Sequence, residues 1–327
     1  MSSSRREGTM KIGLIGIGKI ANYQMQAISH TRGISLTDAH DLNPARAEEL
    51  PGSVDFYEDL EQMLSRSKAD AFLVSTPTQS HFEVVMKVIE ADRVAIVEKP
   101  LCISPEQEDA LRTAAETRKL PLYTAFHASY GREVEWWVLQ REERNFDVGR
   151  LLGFESCFSD LYYLNGELTL GAVGKAGAWI DGGISSLSIL ARLMDPANLE
   201  LVDGRMTTIQ GLSCSEVQGL GIYRLNVDEQ SGFGIVDTNW TLGKNHKMTR
   251  LWYEGGSLEL DHAKEHARLI QRDQEDLVFN LATDKPRLVN HYMGVFSNLT
   301  EMYGKGEDNQ ELSRTLHRLL FAASHHP

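Results

Sequence analysis

The sequence predicts a doubly wound parallel α/β domain over residues 10–130, followed from 131 to 327 by an α+β domain built on a large, mainly antiparallel open sheet. Three observations carry that expectation. A glycine turn, GIGKIA, follows the apolar run KIGLI and opens a helical pattern. Up to about residue 130, short β-rich runs alternate with helical patterns, as βαβ units require. Beyond that point β-patterned runs follow one another, broken by Gly, Asn and Asp, which is how an antiparallel sheet reads.

In order, the first domain offers the strand KIGLIGIG, a helix from about Ile20, the strand ISLTDAHD and a helix from Pro44 through Leu50. VDFY, a helix from Asp59 to Arg66, and ADAFLVSTP follow. Then come a helix from His81 to Ala91, the strand VAIVEKP, a helix from Pro105 to Arg118 and the strand PLYTAF. The second domain opens with a helical span near Glu133–Arg144, the strand-like LLGFESCFS and a helix after Asp181. LVDGRMTTIQ, GLGIYRLNV, GFGIVDTNWTL, MTRLWYEGG and SLELDH then read as strands.

Composition narrows the partners. A chain of 327 residues with 42% hydrophobic and 24% charged residues has enough apolar material for two cores. Its formal net charge of −13 argues against a nucleic-acid groove or an anionic membrane surface, both of which need a cationic stripe. A small-molecule partner is expected instead. The cysteines, Cys102, Cys157 and Cys214, show no CxxC spacing, so neither a disulfide framework nor a zinc site is suggested and a reducing cytoplasm fits. MSSSRREGT is polar and reads as a frayed terminus or an alternative start, not a signal peptide. No stretch approaches the roughly 18 apolar residues needed to span a bilayer.

The chemistry-bearing motifs fall at predicted strand ends. In Gly16, Gly18 and Ala21 the chain carries GxGxxA between strand and helix: a tight turn, a close backbone approach for a pyrophosphate, and a small residue for helix packing. Asp41 ends the second strand, near the spacing of the acid that takes ribose hydroxyls; its other reading is a helix cap before Pro44. A carboxylate there would repel a 2′-phosphate, which favours NAD over NADP. Ser75, Thr76, Pro77 and His81 close one strand, and Glu98, Lys99 and Pro100 another. A lysine at a strand's carboxyl end can donate to a substrate hydroxyl and stabilise a forming alkoxide; its plainer reading is a surface lysine paired with Glu98.

Together GIGKIA, Asp41, STPTQSH and Glu98-Lys99-Pro100 resemble the Gfo/Idh/MocA family of sugar and polyol oxidoreductases, with its STPNxxH segment and EKP signature. The resemblance implies a Rossmann domain holding NAD, with NADP possible, through Gly16, Ile17, Gly18, Lys19, Ile20, Asp41, Ser75, Thr76, Pro77, His81, Glu98 and Lys99. It also implies an α+β domain whose sheet forms the face of a dimer or dimer of dimers. YTAFHASYGREVEWW and WIDGGISSLSIL look like the aldose 1-dehydrogenase branch, the galactose and arabinose dehydrogenases. His127 would then sit near the sugar, although a hydrogen-bonded histidine at a strand end reads equally well. Trp136 and Trp137 read as packing.

Asp181 at the mouth of its helix is either a cap or the family's acid-base residue. Where the family has DxxxH, and the aldose branch has Asn, this chain has Ser185, which cannot take a proton at neutral pH. Upstream, where the branch carries Glu and His, stand Asp160 and Asn165, with Tyr162, Tyr163, Glu167 and Lys175 as polar neighbours. The implied catalytic set is Lys99, Asp181 and Ser185, the implied substrate set His127 and Asn165. The reaction is hydride transfer from a sugar, at C1 giving a lactone, or from a cyclic polyol. No metal is called for, since His262, His266 and His317 form no ligand constellation, and His325 and His326 read as a tail. A non-catalytic NAD(P)-binding regulator of the same fold, or a dehydrogenase acting at another carbon, are the alternatives.

Overall fold

The computed structural model of the chain describes residues 9–172, 174–212, 216–227 and 230–324; the first eight residues, Cys214, His325 and His326 lie outside them. The chain forms two compact units. One holds the chain up to His127 together with Leu288–Arg314, the other Ala128–Arg287 and the chain from Thr315 on.

The first unit runs β1 (Met10–Ile15), α1 (Lys19–His30), β2 (Ile34–His40), β3 (Asp55–Tyr57), α2 (Leu60–Arg66), β4 (Ala71–Val74), α3 (His81–Glu90), β5 (Val94–Glu98), α4 (Pro105–Arg118) and β6 (Leu122–Ala125). These strands pair in parallel in the order β3-β2-β1-β4-β5-β6. Strands β4 and β6 are buried at every position, as expected where crossover helices cover both faces. Local chemistry sets the helix starts: Asp59 Oδ1 accepts from Gln62 N, and Ser104 Oγ accepts from Gln107 N with Pro105 next in line. The helix expected from Pro44 is a 3-10 helix over Pro44–Glu49, and Asn43 caps it. The order reverses between β1 and β4, so a ligand crevice is placed at the carboxyl ends of these strands.

The second unit contains α5 (Arg132–Glu142), β7 (Leu151–Ser159), the hairpin β8 (Tyr163–Leu164) and β9 (Glu167–Leu168), a π-helical turn at Trp179–Gly183 leading into α6 (Ile184–Leu193), and then β10 (Leu199–Thr207), β11 (Gln218–Val227), β12 (Gln230–Asn239), β13 (His246–Tyr253), β14 (Gly256–Asp261), β15 (His266–Gln271) and β16 (Leu277–Asn280). The large sheet has the order β10-β11-β12-β7-β13-β14-β15-β16, antiparallel except where β7 lies parallel to β12. Burial alternates along β11, so one face packs and the other is open. The packed face buries Phe154, Tyr223, Leu251 and Leu258, while Leu152, Phe233, Ile235 and Trp252 are exposed.

Two long helices, α7 (Arg287–Lys305) and α8 (Gln310–Ser324), follow the sheet where no helix was read from the sequence. Nearly all of α7 belongs to the first unit, whereas the sequence placed everything after residue 130 in the second domain. The anchoring bonds explain this: Tyr292 Oη donates to Glu98 Oε1 at 2.7 Å and Asn309 Oδ1 accepts from Thr124 N at 2.9 Å. No helix among the described residues is long and apolar enough to cross a membrane.

Candidate functional site

The sequence motifs of the first unit all lie just past the carboxyl ends of its parallel strands. After β1, Gly16 has φ +93°, and a Cβ there would lie 3.0 Å from the backbone of Ser75 and Thr76. The turn needs glycine for its dihedral and for this approach to the β4 loop. Gly18 is the N-cap residue of α1, with no side-chain cap and no acid in the first turn. A Cβ added to Gly18 would meet nothing within 4 Å. The first N–H groups and the positive end of a three-turn helix are thus left to a ligand anion, and the backbone is open to its approach, which fits the diphosphate of a dinucleotide.

Asp41 closes the same loop. Its Oδ2 accepts from Ile17 N at 2.7 Å and its Oδ1 from Asn43 N at 2.9 Å. Each oxygen keeps a lone pair for a ribose hydroxyl. Ile17 is fully buried and spends its N–H on Asp41, so it shapes the loop; Lys19 is exposed and Ile20 half-buried in the first turn of α1.

Beneath the loops after β4 and β5 runs a buried polar chain. Ser75 Oγ donates to Gln24 Oε1 at 2.7 Å, Gln24 Nε2 donates to Glu98 Oε1 at 2.7 Å, and Tyr292 Oη donates to the same oxygen at 2.7 Å. Burial pushes the Glu98 carboxyl up to about 7, against the opposing pull of Tyr292, Lys99 and Gln24. Glu98 therefore turns inward, and the expectation that its carboxylate contacts the cofactor gives way to a bracing role. Lys99, half-buried, follows it and joins Pro100 through a cis peptide bond.

His81 is also corrected. It is completely buried, with Nδ1 2.7 Å from Pro100 O and Nε2 3.0 Å from Thr76 O. Burial lowers its proton affinity, and a neutral ring has one N–H to give to one of these two carbonyls. Both ring nitrogens face the protein backbone, and the imidazole offers neither to a ligand. Thr76 Oγ1 accepts from Ser80 Oγ, and Pro77 is exposed. At the end of β6, His127 is half-buried; its Nδ1 lies 3.4 Å from His291 Nδ1 and its ring centroid 5.2 Å from that of Tyr292.

In the second unit Asp181 lies in the π turn, 7% exposed, and its Oδ1 accepts from Lys175 Nζ at 2.8 Å. Lys175 also sits over the Tyr162 ring, 5.4 Å from its centroid, and Lys247 Nζ pairs with Asp160 Oδ1 at 2.7 Å. Burial pushes the Tyr162 hydroxyl up to about 12 against the pull of Lys175. The backbone passes tightly here: a Cβ on Gly182 would lie 3.0 Å from Phe158 O and 2.9 Å from the Thr238 methyl. Ser185 is buried, and its Oγ donates to Asp181 O at 3.2 Å, one turn back along its own helix. Its hydroxyl proton goes to that backbone carbonyl, and the oxygen keeps its acceptor lone pairs. Asn165 is exposed at the tip of the β8–β9 hairpin, where Asn165 (φ +54°) and Gly166 (φ +90°) make a two-residue loop. That backbone conformation accounts for Asn-Gly there.

Gln24, Tyr292, His291 and Lys247 were not read from the sequence. Gln24 did leave a signal, a polar residue in the buried stripe Ala21, Gln24, Ala27, Ile28 of α1. Tyr292 and Lys247 leave none, because only the tertiary fold brings them to Glu98 and Asp160.

Comparison with known proteins agrees with this geometry. Residues 10–126 match the family GFO_IDH_MocA, described as an oxidoreductase family with an NAD-binding Rossmann fold. A glycosyl hydrolase family 109 protein of Shewanella woodyi is 26% identical over 192 residues, covering 54% of this chain and 39% of that protein. An inositol 2-dehydrogenase of Rhizobium meliloti is 24% identical over 123 residues, 37% of either chain. The chain thus spans well under half the length of these curated relatives. The crystal structure of KijD10, a 3-ketoreductase from Actinomadura kijaniata in complex with TDP-benzene and NADP, superposes with a TM-score of 0.79 over 98% of both chains at 18% identity, and so shares the whole fold. Residues 10–126 are therefore similar to the NAD-binding Rossmann module of the Gfo/Idh/MocA oxidoreductases.

Proposed function

We propose that the chain is an NAD(P)-dependent oxidoreductase passing hydride between nicotinamide and a sugar or cyclic polyol, and that an aldose oxidised at C1 leaves as a lactone. The observation that carries this reading is the set of strand-end groups in the first unit: the open backbone at Gly18, the carboxylate of Asp41, and Lys99 beyond β5. Gly16, Gly18 and the start of α1 would hold the diphosphate and Asp41 the ribose, with NAD preferred because Asp41 repels a 2′-phosphate. Bound NAD(P) would supply the hydride acceptor.

Lys99 donates to the reacting hydroxyl oxygen and stabilises its developing negative charge. Asp181 accepts the hydroxyl proton as the carbonyl forms. His127 contacts the substrate. The open sheet face, with Phe233, Ile235 and Trp252 exposed, packs against a second copy of the chain. The test has two parts. Isothermal titration should show NAD binding more tightly than NADP, with Asp41→Ala narrowing the gap. Mass spectrometry of the oxidised sugar should give a lactone that opens to an aldonate; a keto-sugar product would move the reaction to another carbon.

A further inference from the structure

The second unit holds a group of alternating charges that the reaction above uses in only one member. Lys175 Nζ lies 2.8 Å from Asp181 Oδ1, and the two side chains are 26% and 9% exposed. Lys247 Nζ lies 2.7 Å from Asp160 Oδ1, with side chains 17% and 12% exposed. Tyr162 lies against Lys175, feels both aspartates and adds no charge of its own near neutral pH. Arg287, at the start of α7, is a like charge that acts on Lys247. Among the described groups, Lys175 contacts the Asp181 carboxylate, Tyr162 and Lys247 interact with it electrostatically, Asp160 pairs with Lys247, and the buried Glu216 carboxylate accepts from the neighbouring Trp179 and Ile180 N–H groups.

Two influences would hold a proton on Asp181. Its burial disfavours the charged carboxylate, and Asp160 is a nearby like charge. Lys247 offsets the second by pairing with Asp160. Lys175 offsets the first, through a direct ion pair with Asp181. We propose that Lys175 is a positioning residue that keeps Asp181 ionised and its carboxylate fixed in place, so that Asp181 enters the alcohol oxidation as a proton acceptor. The inference rests on the reading of Asp181 as the proton-handling group. In agreement, burial is the largest single influence on the Lys175 ammonium, yet Asp181, Tyr162 and Asp160 together outweigh it and hold the group above its ordinary range. The helix position that follows the acid adds nothing to this control, since Ser185 donates to a backbone carbonyl.

The test is a titration of the full chain carrying 13Cγ-labelled aspartate, with the Asp181 resonance identified by its loss in Asp181→Asn. Wild-type Asp181 should titrate within or below the ordinary carboxylate range. Lys175→Met should raise its proton affinity by about tenfold or more, a shift of a pH unit upward, and Lys175→Arg should restore the wild-type midpoint. Lys175→Gln serves in place of Met if the latter fails to fold. An unmoved midpoint in the neutral variants, or an Arg variant that titrates like them, would overturn the inference. The acidic limb of kcat/KM should move with the midpoint; a limb that stays put while the midpoint moves would also overturn it. Asp181→Asn separates the two claims: full turnover in that variant removes the catalytic reading of Asp181, whereas lost turnover with an unmoved midpoint defeats only the role of Lys175.

Discussion

Glu98 is a buried acid whose ionisation the fold resists, and replacing it with glutamine should change how stability depends on pH. Its carboxyl is raised from an ordinary value of 4.5 to about 7 by burial. A raised acid contributes stability while it is protonated in the fold, and that stability is lost as pH rises from the unfolded value through the folded one. Between those values the folded chain holds a proton that the unfolded chain has released. At about 1.4 kcal/mol per pH unit, the loss sums to roughly 3 kcal/mol between pH 4.5 and 8 from this group alone. Glu98→Gln keeps the volume and removes the titration. Urea unfolding at pH 5 to 8 should therefore show the variant gaining on wild type by about 2–3 kcal/mol as pH rises. Far-UV circular dichroism is the right signal, because all five tryptophans lie in the second unit and would report on it instead. Parallel pH profiles for the two proteins would refute the burial argument. Tyr292→Phe should act oppositely to Glu98→Gln: removing one of two donors to Glu98 Oε1 raises the carboxyl further and steepens the loss.

Gly18→Ala should fold with stability within about 0.5 kcal/mol of wild type, because its φ of −87° suits alanine and its Cβ meets no protein atom, yet titration calorimetry should show NAD affinity down by about tenfold or more. Gly16→Ala, by contrast, should lower stability by more than about 1 kcal/mol in the same denaturation assay, since both its positive φ and its 3.0 Å approach to Ser75 are lost to a methyl group. Asn165→Gly should leave turnover unchanged because glycine takes the same turn; a loss of turnover there would place Asn165 among the substrate contacts. Phe233→Glu, on the open sheet face, should convert a dimer seen by light scattering into a species near 36.7 kDa, and a wild-type chain already at that mass would reject the second copy.

What could be read in advance follows from how local each feature is. The glycine turn, the strand ends and the capped helices of the first unit depend on near neighbours in sequence, so β1 to β6 and their helices stood close to where periodicity placed them. The open sheet was legible through alternation in β10 to β14. Helices α7 and α8 were overlooked, and the tie between α7 and β5 rests on Tyr292 reaching a glutamate 194 positions away. In the site, residue types were legible and side-chain directions were not. Glu98 and His81 carry the right chemistry for a ligand but spend it on the protein, on Gln24 and Tyr292, and on the carbonyls of Pro100 and Thr76. Asn165 shows the converse: the Asn-Gly signature of its hairpin is local, and the loop conformation follows from those two residues.

The most direct test of the functional reading is NAD(P)H absorbance across a panel of sugars, polyols and aldonates, run with wild type, Lys99→Ala and Asp181→Asn. The account predicts that at least one substrate supports turnover in wild type and that both variants lose about a hundredfold or more in kcat while still binding NAD. Bound NAD without turnover on any member of the panel, or full turnover in either variant, would contradict it.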